Sequence, residues 1–330
     1  MQVIPLALPR PWLDAPAAVH LTGDRLLRIE GSGSRRWLNA MLTADLRTAA
    51  PGVARYALLL CATGGIVSDA WVVEHAVGEP ERLTLVLPEA CAERAARELT
   101  RFVVNEEIAL TFDDDVRVVS LQGPRGRDLL DIDGPVAVAN AYPCARLGPQ
   151  GLDVWVRAPQ VDLAMALLSA SASRLGGGAM NAIEWCSARV ALGVPQAGTD
   201  FNETTSPHEA GIEARAISFT KGCYLGQQTV ARQHRRGGLT QRLVQLDVEG
   251  PQGVEKGSGV RGPSGEEVGR VTSVASASDE GSSALALAYL TAPFAQVGAR
   301  VMVGERQAQV RSIVGRLGTA APPHHATAGW

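Results

Sequence analysis

The hydrophobic patterning of this chain changes once, near Leu239, and that change narrows the available folds more than any other feature. Up to that point strand-like and helix-like segments alternate. Beyond it come four short β-like runs, Arg242–Val248, Glu267–Val274, Ala284–Leu290 and Gln307–Val314, divided by Gly and Pro turns with no helical pattern between them. Short strands at such spacing form a small sandwich or barrel. A length of 330 residues corresponds to two or three domains at roughly 150 residues each, so the β-only stretch reads as a domain of its own. With 46% apolar and 20% charged residues, a packed core is expected and wholesale disorder is excluded.

The alternating part begins with a strand at Leu26–Glu30. Ser34 is a candidate N-cap for a helix with Trp37, Leu38, Met41 and Leu42 on one face. Arg55–Cys61 and Val67–Ala76 read as strands joined by a Thr63-Gly64-Gly65 turn, and Leu83–Leu87 as another. Pro88 opens a helix, where its missing N–H costs nothing, with a stripe of Ala92, Ala95, Ala96, Leu99 and Phe102. Ile108–Phe112 closes the set. The order then recurs in outline. A strand at Val116–Leu121 leads to a short helix after Gly123-Pro124 and an alternating strand at Leu152–Arg157. Helices at Val161–Leu175 and Ile183–Leu192 stop at Gly176-Gly177-Gly178 and at Gly193 and Pro195. Split strand–helix units of this kind describe ferredoxin-like, mixed α+β lobes. The expected division is 1–115 for the first α+β region, 116–238 for the second and 239–318 for the β-barrel, with the first two free to interleave. Residues 319–330, which hold His324 and His325, read as a disordered tail.

Charge and cysteine content exclude several functions. Thirty-one Lys and Arg against 34 Asp and Glu leave a formal charge of −3, so a polyanion site has to be a local patch. The longest apolar runs, near Tyr56–Ala62 and Ala284–Leu290, fall far short of the roughly 20 residues a membrane helix needs. The first ten residues are interrupted by Pro5 and Pro9 and carry no basic residue before Arg10, unlike a secretory signal. A cytoplasmic protein without a membrane partner is expected. Cys61, Cys91, Cys144, Cys186 and Cys223 are odd in number and include no Cys-x-x-Cys. Neither a disulfide framework nor a self-contained zinc or iron–sulfur site follows.

One segment concentrates chemistry: Lys221-Gly222-Cys223-Tyr224-Leu225-Gly226-Gln227-Gln228, then Thr229-Val230-Ala231-Arg232. Gly222 and Gly226 bracket the thiol and permit a tight turn or close approach to a ligand. No Asp or Glu occurs from Ala214 to Leu246, whereas Arg215, Lys221, Arg232, Arg235, Arg236 and Arg242 do. Cations around a thiol favour the thiolate, the form that ligates metals and attacks electrophiles, and they attract carboxylates or phosphates. A solvated basic loop with an incidental cysteine fits the same charge pattern. Nucleic-acid binding is disfavoured, because only Tyr224 stands close enough to stack on a base. Trp37, Trp71, Trp155 and Trp185 are read as core residues, and His20, His75 and His208 as structural.

Lys221–Gln228 resembles the K-G-C-[FY]-x-G-Q-[EQ] signature of the YgfZ-type folate-binding proteins, relatives of the glycine-cleavage aminomethyltransferase (T-protein) and of an iron–sulfur assembly factor. Other segments agree in order: Leu26–Asp45 with the opening that ends L-N-x-x-x-T-x-D, and Ala57–Val72 with the glycine-turn strand pair. Leu121–Pro124 is similar to the l-Q-G-P turn, Arg189–Pro195 to R-x-x-x-G-x-P, and Pro207–Gly211 to P-x-E-a-G. The resemblance spans about Leu21 to Leu290. It implies a three-lobed T-protein-like ring, two mixed α+β lobes and a C-terminal antiparallel β-barrel.

The resemblance also implies tetrahydrofolate or a one-carbon derivative as cofactor. It implies a transient iron–sulfur cluster shared through Cys223 with a scaffold or client protein, among them tRNA-thiolating enzymes. Cys223 and Asp69 are the expected catalytic residues, and Lys221, Tyr224, Gln227, Arg232, Arg235 and Arg236 the expected cofactor contacts. The chain departs from the transferase branch at two places. Ser68 replaces the first acid of an acidic pair, leaving Asp69. Ala191 stands where a glutamate anchors the pterin and cannot accept a side-chain hydrogen bond. Glu184, Glu203 and Glu209 are the substitutes considered. Both departures argue against a competent aminomethyltransferase and for an accessory role, with a folate-dependent transferase or demethylase as the alternative.

Overall fold

Alternation along the strands decides how the layers stack. The computed structural model describes residues 17–48, 51–75, 82–104, 107–130, 140–250, 253–275 and 283–315; the expected C-terminal tail lies outside them. The strands preceding the barrel are β1 (Ala18–Leu21), β2 (Asp24–Glu30), β3 (Arg55–Leu60), β4 (Ile66–Glu74), β5 (Arg82–Pro88), β6 (Ala109–Asp113), β7 (Val116–Gln122), β8 (Asn140–Pro143), β9 (Leu152–Arg157) and β10 (Gly178–Ala179). The helices are α1 (Ser34–Met41), α2 (Glu89–Thr100), α3 (Val161–Arg174), α4 (Ala182–Ala191), α5 (Pro207–Ala210), α6 (Glu213–Ala216) and α7 (Gln227–Arg236). The barrel strands are β11 (Gln241–Val248), β12 (Gly259–Arg261), β13 (Glu267–Val274), β14 (Ala284–Thr291), β15 (Arg300–Val303) and β16 (Arg306–Ile313).

One antiparallel sheet runs β3-β4-β5-β2-β6. Because successive strand residues face opposite sides, Leu27, Ile29, Ala57, Leu59 and Leu85 bury against α1 and α2. Leu26, Tyr56, Leu58, Trp71 and Val73 point the other way. There they meet Val116, Val118, Tyr142 and Trp155 of a second sheet, ordered β10-β1-β7-β9-β8. The far face of that sheet, with Val119, Leu121, Val154 and Val156, packs on Ala164, Leu168 and Ala172 of α3. The layers are therefore helix, sheet, sheet, helix, with an apolar seam between the sheets. β1 precedes β2 in the chain but pairs with β7 and β10, so the second sheet takes its strand from the beginning of the described chain.

β11–β16 close into a barrel in the order β11-β14-β13-β12-β15-β16, which settles barrel over sandwich. β12 and β15, three and four residues long, are too short to leave a pattern in the sequence. The barrel is stapled to α4 from outside. Arg189 donates to Asp200 Oδ2 (2.6 Å) and to Ser273 Oγ (2.6 Å), and Ser273 and Thr272 of β13 donate to Asp200 Oδ1 (2.6 and 2.5 Å). The R-x-x-x-G-x-P segment is thus the joint between lobe and barrel.

Two local expectations are corrected. Ser34 is the first residue of α1, not its cap. The cap is Gly33 at φ 78°, which supplies the left-handed turn without a side-chain bond. Phe102 lies beyond α2 and is exposed; its carbonyl accepts from Trp37 Nε1 at 3.0 Å.

Candidate functional site

Lys221 is the anchor of the cysteine segment. A helix leaves its last carbonyls without intrahelical partners, and α1 ends against this lysine. Nζ donates to the carbonyls of Asn39 (2.5 Å), Leu42 (2.8 Å) and Ala44 (2.6 Å). An ammonium has three donors, and all three are used here. Burial brings its pKa down to about 8, opposed by the Asp45 carboxylate. Around the socket, Thr43 Oγ1 donates to the Ala216 carbonyl (2.7 Å) and accepts from Leu58 N–H (2.8 Å), while Asn39 Oδ1 accepts from Leu46 N–H (2.9 Å). The asparagine, threonine and aspartate of the opening motif therefore shape a receptacle for Lys221. The lysine expected to contact folate thus spends its three donors on the socket.

The segment is fastened again further on. Leu225 N–H donates to the Ala40 carbonyl at 3.1 Å. Gly226 caps α7 at φ 78°; a Cβ there would sit 2.6 Å from the Cys61 carbonyl oxygen. Gly64 lies against Thr229 in the same way, and a Cβ on it would come within 2.8 Å of the threonine Cβ. Gly222 differs from this: it is not left-handed, and a Cβ on it would meet nothing within 4 Å. Between the two clamps Tyr224 is buried in the seam between the sheets, whereas Gly222 and Cys223 are exposed. Among the described residues no group of three or more His, Cys, Asp or Glu is placed to hold a metal.

Asp69 sits in the seam between the sheets. It shares a strand face with Trp71, and Tyr56 donates its hydroxyl to Oδ2 at 2.8 Å. Tyr56 and Trp71 have ring centroids 5.1 Å apart, and the Arg215 guanidinium lies 4.3 Å from the centre of the Tyr56 ring. Oδ1 is buried and has no hydrogen-bond partner among the described residues. Burial lifts the carboxyl from 3.8 to about 6, and nearby Asp24 adds to the rise; Tyr56 and Arg215 pull it back. Next to this cluster Arg146 is held by Asp24 and Asp153, both at 2.7 Å.

The remaining expected contacts scatter. Gln227 begins α7, its N–H donating to the Tyr224 carbonyl at 3.2 Å. Arg232, Arg235 and Arg236 are exposed on α7, whose Val230 is buried in the seam. At 100° per residue the three point away from Val230, and hence away from Asp69's surroundings. The considered substitutes for the pterin glutamate have other work. Glu184 and Glu209 complete capping boxes on α4 and α5, and Glu203 pairs with Arg94 at 2.9 Å. Gln122 of the l-Q-G-P turn joins Ser120, Cys144 and Leu147 by hydrogen bonds, bordering an apolar cavity of about 260 Å³. Tyr56, Trp71 and Arg215 went unrecognised as companions of Asp69. Their only sequence signal was an aromatic on each of two adjoining predicted strands.

This arrangement, two stacked sheets with helical outer layers beside a closed barrel, is the aminomethyltransferase fold. The chain superposes on the glycine cleavage system aminomethyltransferase T from Bartonella henselae with a TM-score of 0.75 at 20% identity, covering 90% of this chain and 86% of that one. Residues 22–137 match the family model described as the GCVT N-terminal domain. The chain is similar to the aminomethyltransferase of Rubrobacter xylanophilus (27% identical, covering 86% of this chain and 78% of that protein). It is also similar to that of Staphylococcus haemolyticus (24%, covering 87% and 82%). Together these findings show an aminomethyltransferase-like fold, with the match to the GCVT N-terminal domain confined to residues 22–137. No helix among the described residues is long and apolar enough to cross a membrane.

Proposed function

We propose that this protein binds tetrahydrofolate and serves iron–sulfur cluster assembly or repair through Cys223. The observation that carries the reading is the exposed thiol on a segment clamped at Lys221 and at Gly226. A rigid thiol open to solvent is suited to ligating an atom held by another protein. One thiolate is insufficient for a cluster, which takes about four ligands, so the partner brings the others and the cluster is cargo rather than a resident group.

The residues around Asp69 fit a folate. Oδ1 is an unmet buried acceptor for a pterin N–H, and Arg215 offers charge for a carboxylate. Bound tetrahydrofolate supplies an amine that carries one-carbon units. With its carboxyl raised to about 6, Asp69 is mostly ionised at pH 7 and takes up a proton as the pH falls towards 6, and Tyr56 fixes the carboxyl's orientation.

The test is complementation of a strain lacking the protein. Cys223→Ser folds like the wild type and fails to restore cluster-dependent enzyme activity. Full restoration by the serine variant rejects the reading.

A second reading is a folate-dependent transferase or demethylase with Asp69 as acid and base. It is favoured by the carboxyl's raised pKa of about 6 and by the whole-length similarity to aminomethyltransferases. Against it stands Ala191 in place of the pterin-anchoring glutamate. The reading requires turnover of an aminomethyl or N-methyl substrate with tetrahydrofolate, lost in Asp69→Asn. Absence of turnover by wild type with an intact lipoyl carrier removes aminomethyl transfer from consideration.

A further inference from the structure

We infer that the outer face of α7 is a docking surface for an acidic protein face. Gln228, Arg232, Arg235 and Arg236 are all exposed and fall on one side of the helix, opposite buried Val230. Elsewhere arginines are commonly paired: Arg25 with Glu93, Arg47 with Asp45, Arg94 with Glu203, Arg189 with Asp200. Arg232, Arg235 and Arg236 make no hydrogen bond or ion pair among the described residues, and no acid occurs from Ala214 to Leu246 to supply one. The helix dipole accounts for cations in the last turn, where Arg235 and Arg236 lie, but its effect fades before Arg232. Like charges spaced i, i+4 also oppose one another. Among the described residues this cationic stripe therefore has no acidic partner.

Phe219 does not belong to this face: its ring is stacked on His234 with centroids 3.9 Å apart, and His234 lies about 40° round the helix from Val230. The arginine face itself carries no aromatic residue, and a single-stranded nucleic acid needs a ring face for stacking. Charge complementarity therefore favours a partner face of Asp and Glu. The inference goes beyond the cluster reading and does not require it, although a partner seated here is brought to the segment that bears Cys223.

The test uses the full chain and three fluorescent probes of equal charge at about 0.15 M salt: a peptide of alternating Glu and Leu, an all-Glu peptide, and single-stranded RNA. Anisotropy is expected to show both acidic peptides binding more tightly than the RNA. R232E/R235E/R236E weakens their binding more than tenfold, whereas Phe219→Ala and Cys223→Ser leave it unchanged, which separates docking from the neighbouring ring and from thiol chemistry. K256E/R261E/R300E, an equal charge change on exposed barrel residues, has no effect. An equal loss in the barrel variant, tighter binding of RNA, or no binding by the wild type overturns the inference.

Discussion

Cys223 and Asp69 are the two side chains to which the proposed function gives chemistry, and their surroundings have little in common. Cys223 is exposed, and it owes its position to neighbours on either side that are locked down: Lys221 in a socket of three carbonyls, Gly226 against the Cys61 carbonyl. Asp69 lies in the seam between the sheets, and its proton affinity is set by burial and by Tyr56. A thiol for reaching a partner needs a rigid tether and an open approach. An acid for meeting a small molecule needs desolvation and an acceptor oxygen left without a hydrogen-bond partner, as Asp69 Oδ1 is among the described residues. The two environments are built from different parts of the chain, so mutation should separate them.

Lys221→Met is the strongest way to probe the tether. It leaves three carbonyls without their donor, and orphaned buried groups cost about 1–3 kcal/mol each, with incomplete additivity. A loss of about 3–5 kcal/mol is expected in denaturant unfolding, against a change within about 0.5 kcal/mol for Cys223→Ser, as for other surface substitutions. Equal effects from the two variants would erase the distinction between anchor and thiol.

Asp69→Asn moves stability in the opposite direction. A carboxyl raised from 3.8 to about 6 binds its proton more tightly folded than unfolded, so stability falls as pH rises between those values. At 1.36 kcal/mol for each pKa unit, the penalty above pH 6 is roughly 3 kcal/mol. Unfolding measured from pH 4 to 8 should show this decline in the wild type. The variant should lack it and be the more stable of the two at pH 7.5.

Gly226→Ala forces a side chain into a left-handed residue and against a carbonyl, at a cost of about 1–3 kcal/mol. Gly222→Ala meets open space and should change thermal stability little. The smallest effect is kinetic. Limiting iodoacetamide on the native protein should label Cys223 ahead of buried Cys91 and Cys144, read by peptide mass spectrometry, without altering the pH profile assigned to Asp69.

Much of the fold was legible because it follows from local rules. Strand-length apolar runs beside glycine turns marked β3, β4 and β7, alternation marked β9, the break near Leu239 marked the barrel, and Pro88 marked the start of α2. Exposure of Cys223 on a loop was in keeping with its flanking glycines and polar neighbours. The socket of Lys221 was hidden for a physical reason: a lysine in a basic run looks like a ligand for anions, and nothing local announces that α1, some 180 residues earlier, ends in carbonyls awaiting it. The direction of Arg232, Arg235 and Arg236 was hidden similarly, since net charge along a segment carries no information about which side of a helix faces the core until Val230 is seen to be buried. The companions of Asp69 come from β3, β4 and the α6 segment, and only the pairing of strands brings them together.

The separateness of the two sites is tested most directly by calorimetric titration of tetrahydrofolate into wild type, Cys223→Ser and Asp69→Asn. Cys223→Ser should bind as the wild type does. Asp69→Asn, whose amide offers a poorer acceptor to a pterin N–H, should bind about 10- to 100-fold more weakly, the equivalent of about 1–3 kcal/mol. Unaltered binding in Asp69→Asn, or a comparable loss in Cys223→Ser, would contradict the assignment of folate to the seam and of the thiol to a partner.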